Sequence, residues 1–305
     1  MDNRVNSVGF SFTRENLYWV ILEEHDDGQV EVKEIEKIPF ENTLDYLNFL
    51  SQTNRNIILN AIHHFKSPSD LDDHKIKLSF DSSLCYISKI PIEPSLELPE
   101  LKDHLIWEFY QHFYDEDPNN FYISHHPLLQ NKDGVIDSVL LLIINRRYID
   151  LFKNIFETRG LNLKLTDIDH FSVEIAIKFA YPELFNSNNF LMSVKPNFLE
   201  ISFILNGNTF NFRQVTYKSF GDILTFCEKD LKPLTKLMQN KIQKFFVWGE
   251  YLKPGFINEL NEIMPFEAVE INPFKNFIIN KKVLNSPVYR NLYEFAPACG
   301  IALRG

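Results

Sequence analysis

Two histidine pairs, His63-His64 and His125-His126, are the side chains in this sequence best suited to binding a metal ion. We place both pairs on strands, where adjacent side chains point to opposite faces, and no carboxylate or cysteine stands at ligand spacing. The histidines are therefore expected at the surface, and no metal site is predicted. No HExxH, GxSxG or Walker-type lysine loop occurs either, so nothing supports a hydrolase or transferase.

Phosphate binding is a second chemistry, and the sequence has few of the residues that it needs. Loops that bring backbone N–H groups to a phosphate use glycine, and only 10 of the 305 residues are glycine. Arg14 and Lys195 stand at turns between strands and could neutralise phosphate charge. A lone cation in a hairpin is more often a solvated side chain, and that is the state we expect for both.

Composition bounds the class of protein further. The formal net charge of -10 repels a phosphate backbone, so nucleic acid is not an expected partner. Cys85, Cys227 and Cys299 lie far apart without metal spacing, as expected of reduced thiols in a cytosolic protein. The first residues lack the layout of a signal peptide, and the apolar run at residues 139–144 is too short to span a bilayer, so we expect membrane association only through a partner.

The elements that must position these side chains form an α/β pattern. Turn residues at 26–28 and 206–207, proline-punctuated connections and apolar periodicity define the segments. The predicted strands are 8–12, 17–23, 30–38, 56–61, two within 75–91, 121–129, 135–144, 162–167, 190–194, 199–205, 209–215, 245–248 and 268–271. The predicted helices are 43–50, one carrying Leu101, Leu105, Ile106, Phe109 and Phe113, then 147–159, 170–179, 220–243, 255–263 and 288–303.

Three strands followed by a helix occur twice in this pattern, separated by the helix at 170–179 and a boundary near Pro182. Such a repeat favours an internally duplicated α/β architecture of the actin and sugar-kinase kind, which is ribonuclease H-like. A smaller α/β unit is predicted between the two copies.

Three short motifs, in order and at matching spacing, carry a resemblance to a known family. They are Pro254-Gly255-Phe256, Asn272-Pro273-Phe274 and the segment Ala298-Cys299-Gly300-Ile301-Ala302-Leu303-Arg304-Gly305. They resemble the segments PGL, NPF and AVGLALRG of PilM-type proteins, the actin-like components of type IV pilus assembly, which are similar to the cell-division protein FtsA. Ile106-Trp107-Glu108, Gly160-Leu161 and residues 167–171 resemble further family segments.

The resemblance implies an actin-like fold in which a small inserted subdomain replaces one actin subdomain. On this basis we predict a first half at residues 1–82, completed by residues 288–305. The inserted subdomain is predicted at 83–168 and the second half at 169–287.

The resemblance also locates the two phosphate hairpins of actin-like ATPases, each of which needs an Asp for Mg²⁺-bound water and a Gly for close backbone approach. Residues 8–13 match the family's VGIDIG, which retains Gly9 but places Ser11 at the Asp position and Thr13 at the Gly position. Residues 191–196 match LVDIGA, with Ser193 and Lys195 at the corresponding positions. Pro196 removes a further N–H donor.

The adenosine-side loop of the family reads TGGG, and residues 247–251 stand in its place. Gly249 matches, whereas Trp248, Glu250 and Tyr251 would project bulk and negative charge towards the pocket. Changes in three separate loops predict a pseudo-ATPase that is not an enzyme and needs neither ATP nor Mg²⁺.

In the family, a groove between the first subdomain and the inserted one receives the cytoplasmic N-terminal peptide of the membrane protein PilN. The resemblance therefore implies a cytoplasmic scaffold at the inner membrane that binds a PilN-like peptide in a pilus or secretion assembly. Two alternatives stay open: an ATP-binding switch in which Arg14 and Lys195 compensate for the missing residues, and a self-associating, FtsA-like filament former.

Overall fold

The computed structural model describes residues 5–66, 75–94, 96–128, 136–184, 187–237 and 242–305. In chain order its strands are β1 Val5–Phe12, β2 Asn16–Glu24, β3 Val30–Pro39, β4 Lys75–Phe80, β5 Cys85–Pro91, β6 Phe121–Leu128, β7 Ser138–Asn145, β8 Asn162–Ile168, β9 Asn188–Val194, β10 Phe198–Leu205, β11 Asn208–Thr216, β12 Ile242–Trp248, β13 Ala268–Glu270 and β14 Ile278–Ile279. The helices are α1 Gln52–His63, α2 Leu98–His112, α3 Arg146–Glu157, α4 Asp169–Ala180, α5 Phe220–Phe226, α6 Lys232–Leu237, α7 Phe256–Ile263, α8 Lys281–Leu284 and α9 Ala296–Leu303.

Two large sheets repeat one strand order. The first runs β14-β3-β2-β1-β4-β8 and the second runs β11-β10-β9-β12-β13. In each sheet the first three strands along the chain are antiparallel neighbours. The fourth strand along the chain then pairs in parallel with the first, as β4 does with β1 and β12 does with β9. This shared order confirms the predicted duplication and makes β1 the counterpart of β9 and β4 the counterpart of β12.

Alternating apolar residues bury both faces of each sheet. In the first sheet, Phe10 and Trp19 face α1 and α3, whereas Tyr18 and Val20 face α9. In the second sheet, the face that includes Leu191 packs on α4. Helices α4 and α9 therefore lie in the layer between the two large sheets, and each sheet carries further helices on its outer side.

A third sheet, ordered β5-β7-β6, forms the small inserted unit. Helix α2 covers one of its faces, with Leu105 and Phe109 buried against β7. The predicted range of this unit, 83–168, also takes in β8 and α3, but β8 pairs with β4 and α3 packs on the first sheet. Likewise β14, inside the predicted second half, pairs with β3.

Two predicted elements between β3 and β4 are wrong. Residues 43–50 form turns, and residues 56–61 belong to α1 instead of a strand. The Ser51 side chain caps α1 by accepting from the Asn54 N–H, and the buried Asn54 amide donates to the Asp45 carbonyl at 2.7 Å, which holds the turns. Within this segment Ile57, Ile58 and Ala61 are buried on one side of the helix, whereas Asn56 and Asn60 are exposed, so a short and mostly apolar segment was mistaken for a strand.

Smaller differences concern ends of elements. The helix predicted at 220–243 contains a π-helical turn at Cys227–Leu231, and Ile242 already belongs to β12. The helix predicted at 288–303 is two 3₁₀ turns followed by α9. Part of the predicted strand at 135–144, and residues 185–186 at the predicted boundary, lie outside the described residues.

Candidate functional site

The two equivalent hairpins, β1–β2 and β9–β10, bring the predicted loop residues to one place between the large sheets. Ser11 and Thr13 of the first hairpin line a cavity of about 10 Å³ together with Trp248, the last residue of β12, and Glu250, which follows that strand. Asp169, at the start of α4, lines the same cavity. That volume suffices for about one water molecule.

Lys195, in the second hairpin, is buried and lies between two carboxylates. Its ammonium is 2.9 Å from Asp81 Oδ1 and also forms an ion pair with Asp169 Oδ2, and it stands 5.2 Å from the centre of the Trp248 ring. Only 4% of Lys195 is exposed, so the prediction of a solvated cation is wrong. The sequence did not reveal Asp81 and Asp169, which come from outside the aligned loops.

The two carboxylates are held by neighbouring donors. Asp81 accepts from the Tyr46 hydroxyl at 2.8 Å and from the Ser83 N–H at 3.0 Å. Asp169 accepts from the His170 N–H at 2.8 Å and from the Ser82 N–H at 3.2 Å. These hydrogen bonds hold both carboxylates in place independently of the Lys195 ammonium.

Burial and charge shift the pKa values of Lys195 and its two carboxylates in opposite directions. Burial alone lowers the pKa of Lys195, but the two carboxylates more than offset it and raise the pKa above its ordinary value. Burial acts to raise the pKa of Asp81, yet Lys195 and the hydrogen bonds hold it below its usual value. For Asp169 burial outweighs the attraction of Lys195, and its pKa is raised.

A second contact crosses between the halves in the reciprocal direction. Asn16, in the first hairpin, donates its side-chain N–H to Glu250 of the second half. Burial raises the pKa of Glu250 to about 7. The two carboxylates that accept these contacts, Asp81 and Glu250, stand at equivalent places in the two halves. Asp81 lies two residues beyond Ser79, which pairs with Ser11. Glu250 lies two residues beyond Trp248, which pairs with Ser193.

Ser11 and Ser193 are each the last but one residue of their strand, at the positions predicted to replace an Asp. Both are buried, at 3% and 0% exposure, and within the described residues neither hydroxyl has a hydrogen-bond partner. They therefore add small polar groups to the cleft but no charge.

The predicted glycines serve close packing. A Cβ on Gly9 would lie 2.0 Å from the Ala298 carbonyl oxygen, so Gly9 lets α9 approach β1. Gly300 does the same between α9 and the Ser172 carbonyl of α4. Gly249 has φ of 129° and approaches Val194 at the end of β9, a conformation and a contact that suit glycine alone.

No protein-family model and no curated protein sequence matches this chain. Among solved structures it resembles a PilM–PilN type IV pilus biogenesis complex, with a TM-score of 0.69 at 15% identity over 99% of this chain and 98% of that one. A Bacteroides thetaiotaomicron protein with an actin-like ATPase fold and unknown function gives 0.51 at 12% identity, over 88% and 91% of the two chains. The cytoplasmic domain of EpsL, an inner-membrane component of the type II secretion system of Vibrio cholerae, gives 0.50 at 10% identity over 99% of both chains.

The chain has the actin-like fold. The predicted fold class is thereby confirmed, and the cleft described above is the place where the two halves of this fold face each other.

The histidines and cysteines do not assemble into a metal site within the described residues. His63 ends α1, and its ring nitrogen accepts from Arg159, so the strand placement of this pair is wrong. His125 and His126 do lie on β6, but His126 is only partly exposed: it stacks on Phe171, and burial lowers its pKa to about 4. No described helix is long and apolar enough to cross a bilayer.

A groove separates the small inserted sheet from the first large sheet. Its volume is about 220 Å³, and its walls include Tyr122 and Ser124 of β6 with Thr166 and Asp167 of β8. Within the described residues β6 and β8 are both edge strands. The groove floor is apolar and includes Ile149 of α3.

Proposed function

We propose that this chain is a non-catalytic, actin-like scaffold that binds an extended peptide of a PilN-like membrane protein in a pilus- or secretion-type assembly. It would act in the cytoplasm, peripheral to the inner membrane. The observation that carries the proposal is Lys195, which crosses the cleft and ion-pairs with Asp81 and Asp169. This contact ties the two halves together through side chains of the protein itself.

The residues of the cleft do not fit Mg-ATP. A magnesium-nucleotide site needs carboxylates free to hold metal-bound water and backbone N–H groups free to approach phosphates. Here Asp81 and Asp169 are taken up by Lys195, and the carboxylate of Glu250 stands where the family's loop is bare backbone. The cavity of about 10 Å³ is far below the hundreds of Å³ of a typical ligand pocket.

The groove between β6 and β8 supports the peptide-binding part of the proposal. An extended peptide can pair with an exposed sheet edge through main-chain hydrogen bonds while alternate side chains enter pockets. Two edge strands with an apolar floor between them offer both kinds of contact. A PilM–PilN complex is among the solved structures that share this fold, which supports a PilN-like partner.

Calorimetric titration with Mg-ATP and Mg-ADP, together with thermal shift, tests the first part. We expect neither heat of binding nor a rise in melting temperature. Saturable micromolar binding would favour the ATP-dependent switch instead.

Hydrogen exchange tests the second part. The probe is the cytoplasmic N-terminal peptide of the PilN-like protein from the same genome, and we expect it to protect amides of β6 and β8. The substitution Ser124→Arg fills the groove at an exposed position and should abolish protection, whereas Gln52→Arg on α1 adds the same charge outside the groove lining and should leave it unchanged. Protection elsewhere, or equal binding by the Ser124→Arg variant, would refute the groove assignment.

A further inference from the structure

The outer face of α2 carries aromatic side chains that the core does not use. Leu105 and Phe109 pack inward on the small sheet, whereas Trp107 is 56% exposed and Tyr110 is 44% exposed. Tyr114, just beyond the end of the helix, is 79% exposed. Trp107 and Tyr110 are three residues apart on the helix and so lie on the same side of it, and Tyr114 follows in the turn after the helix. These three exposed side chains are called here the α2 stripe.

The α2 stripe is partly ordered before any partner arrives. The His104 ring stacks on the Trp107 indole, with ring centres 5.9 Å apart and planes 15° apart. A nitrogen of the same His104 ring lies 3.1 Å from the Pro91 carbonyl oxygen, which ties the pair to the end of β5. An exposed aromatic group that is already held in place loses little conformational entropy on binding, as in the aromatic anchors of protein interfaces.

Carboxylates surround the α2 stripe. Between residues 97 and 117 the sequence has seven acidic residues and one basic residue, Lys102. Asp103 precedes Trp107 by one helical turn, and an acidic run follows Tyr114 directly. The seven are Glu97, Glu100, Asp103, Glu108, Asp115, Glu116 and Asp117.

This charge decides between classes of partner. Anionic lipid surfaces and nucleic acids would be repelled by the carboxylates. A purely apolar partner would have to desolvate them without compensation. A cationic side chain gains from both features, because it attracts the carboxylates and is attracted to the faces of Trp and Tyr rings.

We propose that the α2 stripe docks a lysine- or arginine-rich segment of a partner protein. This surface lies on the outer helix of the small sheet and is distinct from the groove between β6 and β8, so the proposal does not depend on the peptide bound in that groove.

A nona-arginine peptide is a suitable probe, and the protein supplies its own reporter. Of the three tryptophans, Trp19 and Trp248 are 2% and 4% exposed, so acrylamide quenching of fluorescence reports mainly on Trp107. We expect saturable binding of the peptide to protect Trp107 from the quencher. Binding measured by anisotropy of a labelled peptide should weaken as ionic strength rises.

Paired substitutions separate the aromatic contribution from simple charge attraction. Trp107→Ala with Tyr110→Ala should weaken peptide binding about tenfold, the loss expected for two cation–π contacts. Asp103→Asn with Asp115→Asn should weaken it about fivefold at low salt. Glu24→Gln with Asp26→Asn removes the same charge from an exposed site on the first sheet and should change affinity by less than about twofold.

Three results with the peptide would overturn the proposal. They are no saturable binding of the peptide, unchanged affinity in the aromatic double variant, or an equal loss in the Glu24/Asp26 control, which would indicate attraction to any acidic surface. Tighter binding to phosphatidylglycerol vesicles than to the peptide would point to a membrane and would also overturn it. Near-UV circular dichroism verifies that each variant is folded, which is expected because the substituted side chains are exposed.

Discussion

The two halves of this molecule have the same strand order, but their equivalent hairpins meet the opposite half in different ways. The second hairpin sends a charged side chain, Lys195, to Asp81 after β4, and the first hairpin sends a neutral one, Asn16, to Glu250 after β12. Since Asp81 and Glu250 are equivalent in register, the two contacts cross the cleft to equivalent acceptors, but from different places in their hairpins and with unequal charge.

That difference indicates which contact matters more to stability. Removing a buried ammonium from between two carboxylates leaves both of them without a counter-charge, whereas a neutral donor to a carboxylate can be lost at smaller cost. We therefore expect the two halves to respond unequally to substitution, and the predictions below run from the largest expected effect to the smallest.

Replacing Lys195 by Met should have the largest effect. It leaves Asp81 and Asp169 buried without a cation, and the free energy of unfolding should fall by about 3–5 kcal/mol at pH 7. The loss should shrink towards pH 5, because without the ammonium both carboxyls can take up protons. Urea denaturation at the two pH values measures this.

Lys153→Met is the matched control. Lys153 pairs with Glu157 at 4.0 Å on the exposed surface of α3, and both side chains are about half exposed. Its loss should change stability by no more than about 0.5 kcal/mol. Equal effects of the two substitutions would contradict the view that the ion pairs of Lys195 stabilise the packing of the two halves.

The fold was largely predictable from the sequence, for reasons seen in particular elements. Alternating apolar residues and the turn at Asn206-Gly207 indicate the strands directly, and repetition of the pattern indicates the duplication. The error at α1 came from an ambiguous local pattern, because the short and mostly apolar segment at 56–61 fits either a strand or one face of a buried helix. The Ser51 cap and the contacts of Asn54 distinguish them, and those contacts depend on how the preceding turn at residues 45–49 folds.

Gly9 gives the next largest effect and tests an asymmetry between the halves. Its counterpart by register is Leu191, a buried residue of the core that packs on α4, whereas Gly9 leaves room for α9. Gly9→Ala should lower the free energy of unfolding by about 2–3 kcal/mol through overpacking. Gly221 lies in the first turn of α5, and a Cβ added there would be 3.6 Å from its nearest atom, Ser219 Oγ. Gly221→Ala should therefore be neutral or slightly stabilising in the same denaturation assay.

Glu250 gives an effect of similar size, which depends on pH. Its folded-state pKa of about 7 lies above the ordinary value of 4.5, so the folded protein binds a proton more tightly than the unfolded chain. The stability that this proton contributes is complete below the ordinary pKa and is lost as pH rises through 7.

Glu250→Gln keeps an acceptor for Asn16 but cannot ionise. The variant should therefore exceed the parent in stability by about 2–3 kcal/mol at pH 8 and match it near pH 4. Thermal melts of the two proteins across this range measure the difference. Burial also raises the pKa of Glu174 and Glu200 to about 7, so only the difference between variant and parent isolates Glu250.

The site was only half predictable. Family-like loops located Ser11, Thr13, Ser193, Lys195, Trp248, Gly249 and Glu250, and the structure brings these loops together. The partners of Lys195 could not be read from sequence, because Asp81 and Asp169 follow different strands and meet the cation only after the halves pack. A lysine at a turn gives the same local signal whether it is solvated or buried.

The two serines should give the smallest effect, and an equal one in both halves. Ser11 and Ser193 are buried at equivalent positions, and neither hydroxyl has a partner among the described residues. Replacing a buried, unpaired hydroxyl with a methyl group removes a desolvation cost, so Ser11→Ala and Ser193→Ala should each stabilise the protein by up to about 1 kcal/mol. A marked loss at either position in urea denaturation would mean that its hydroxyl is bonded to ordered water in the cleft. A loss at one position only would show that the halves differ in these serines as well as in their charged contacts.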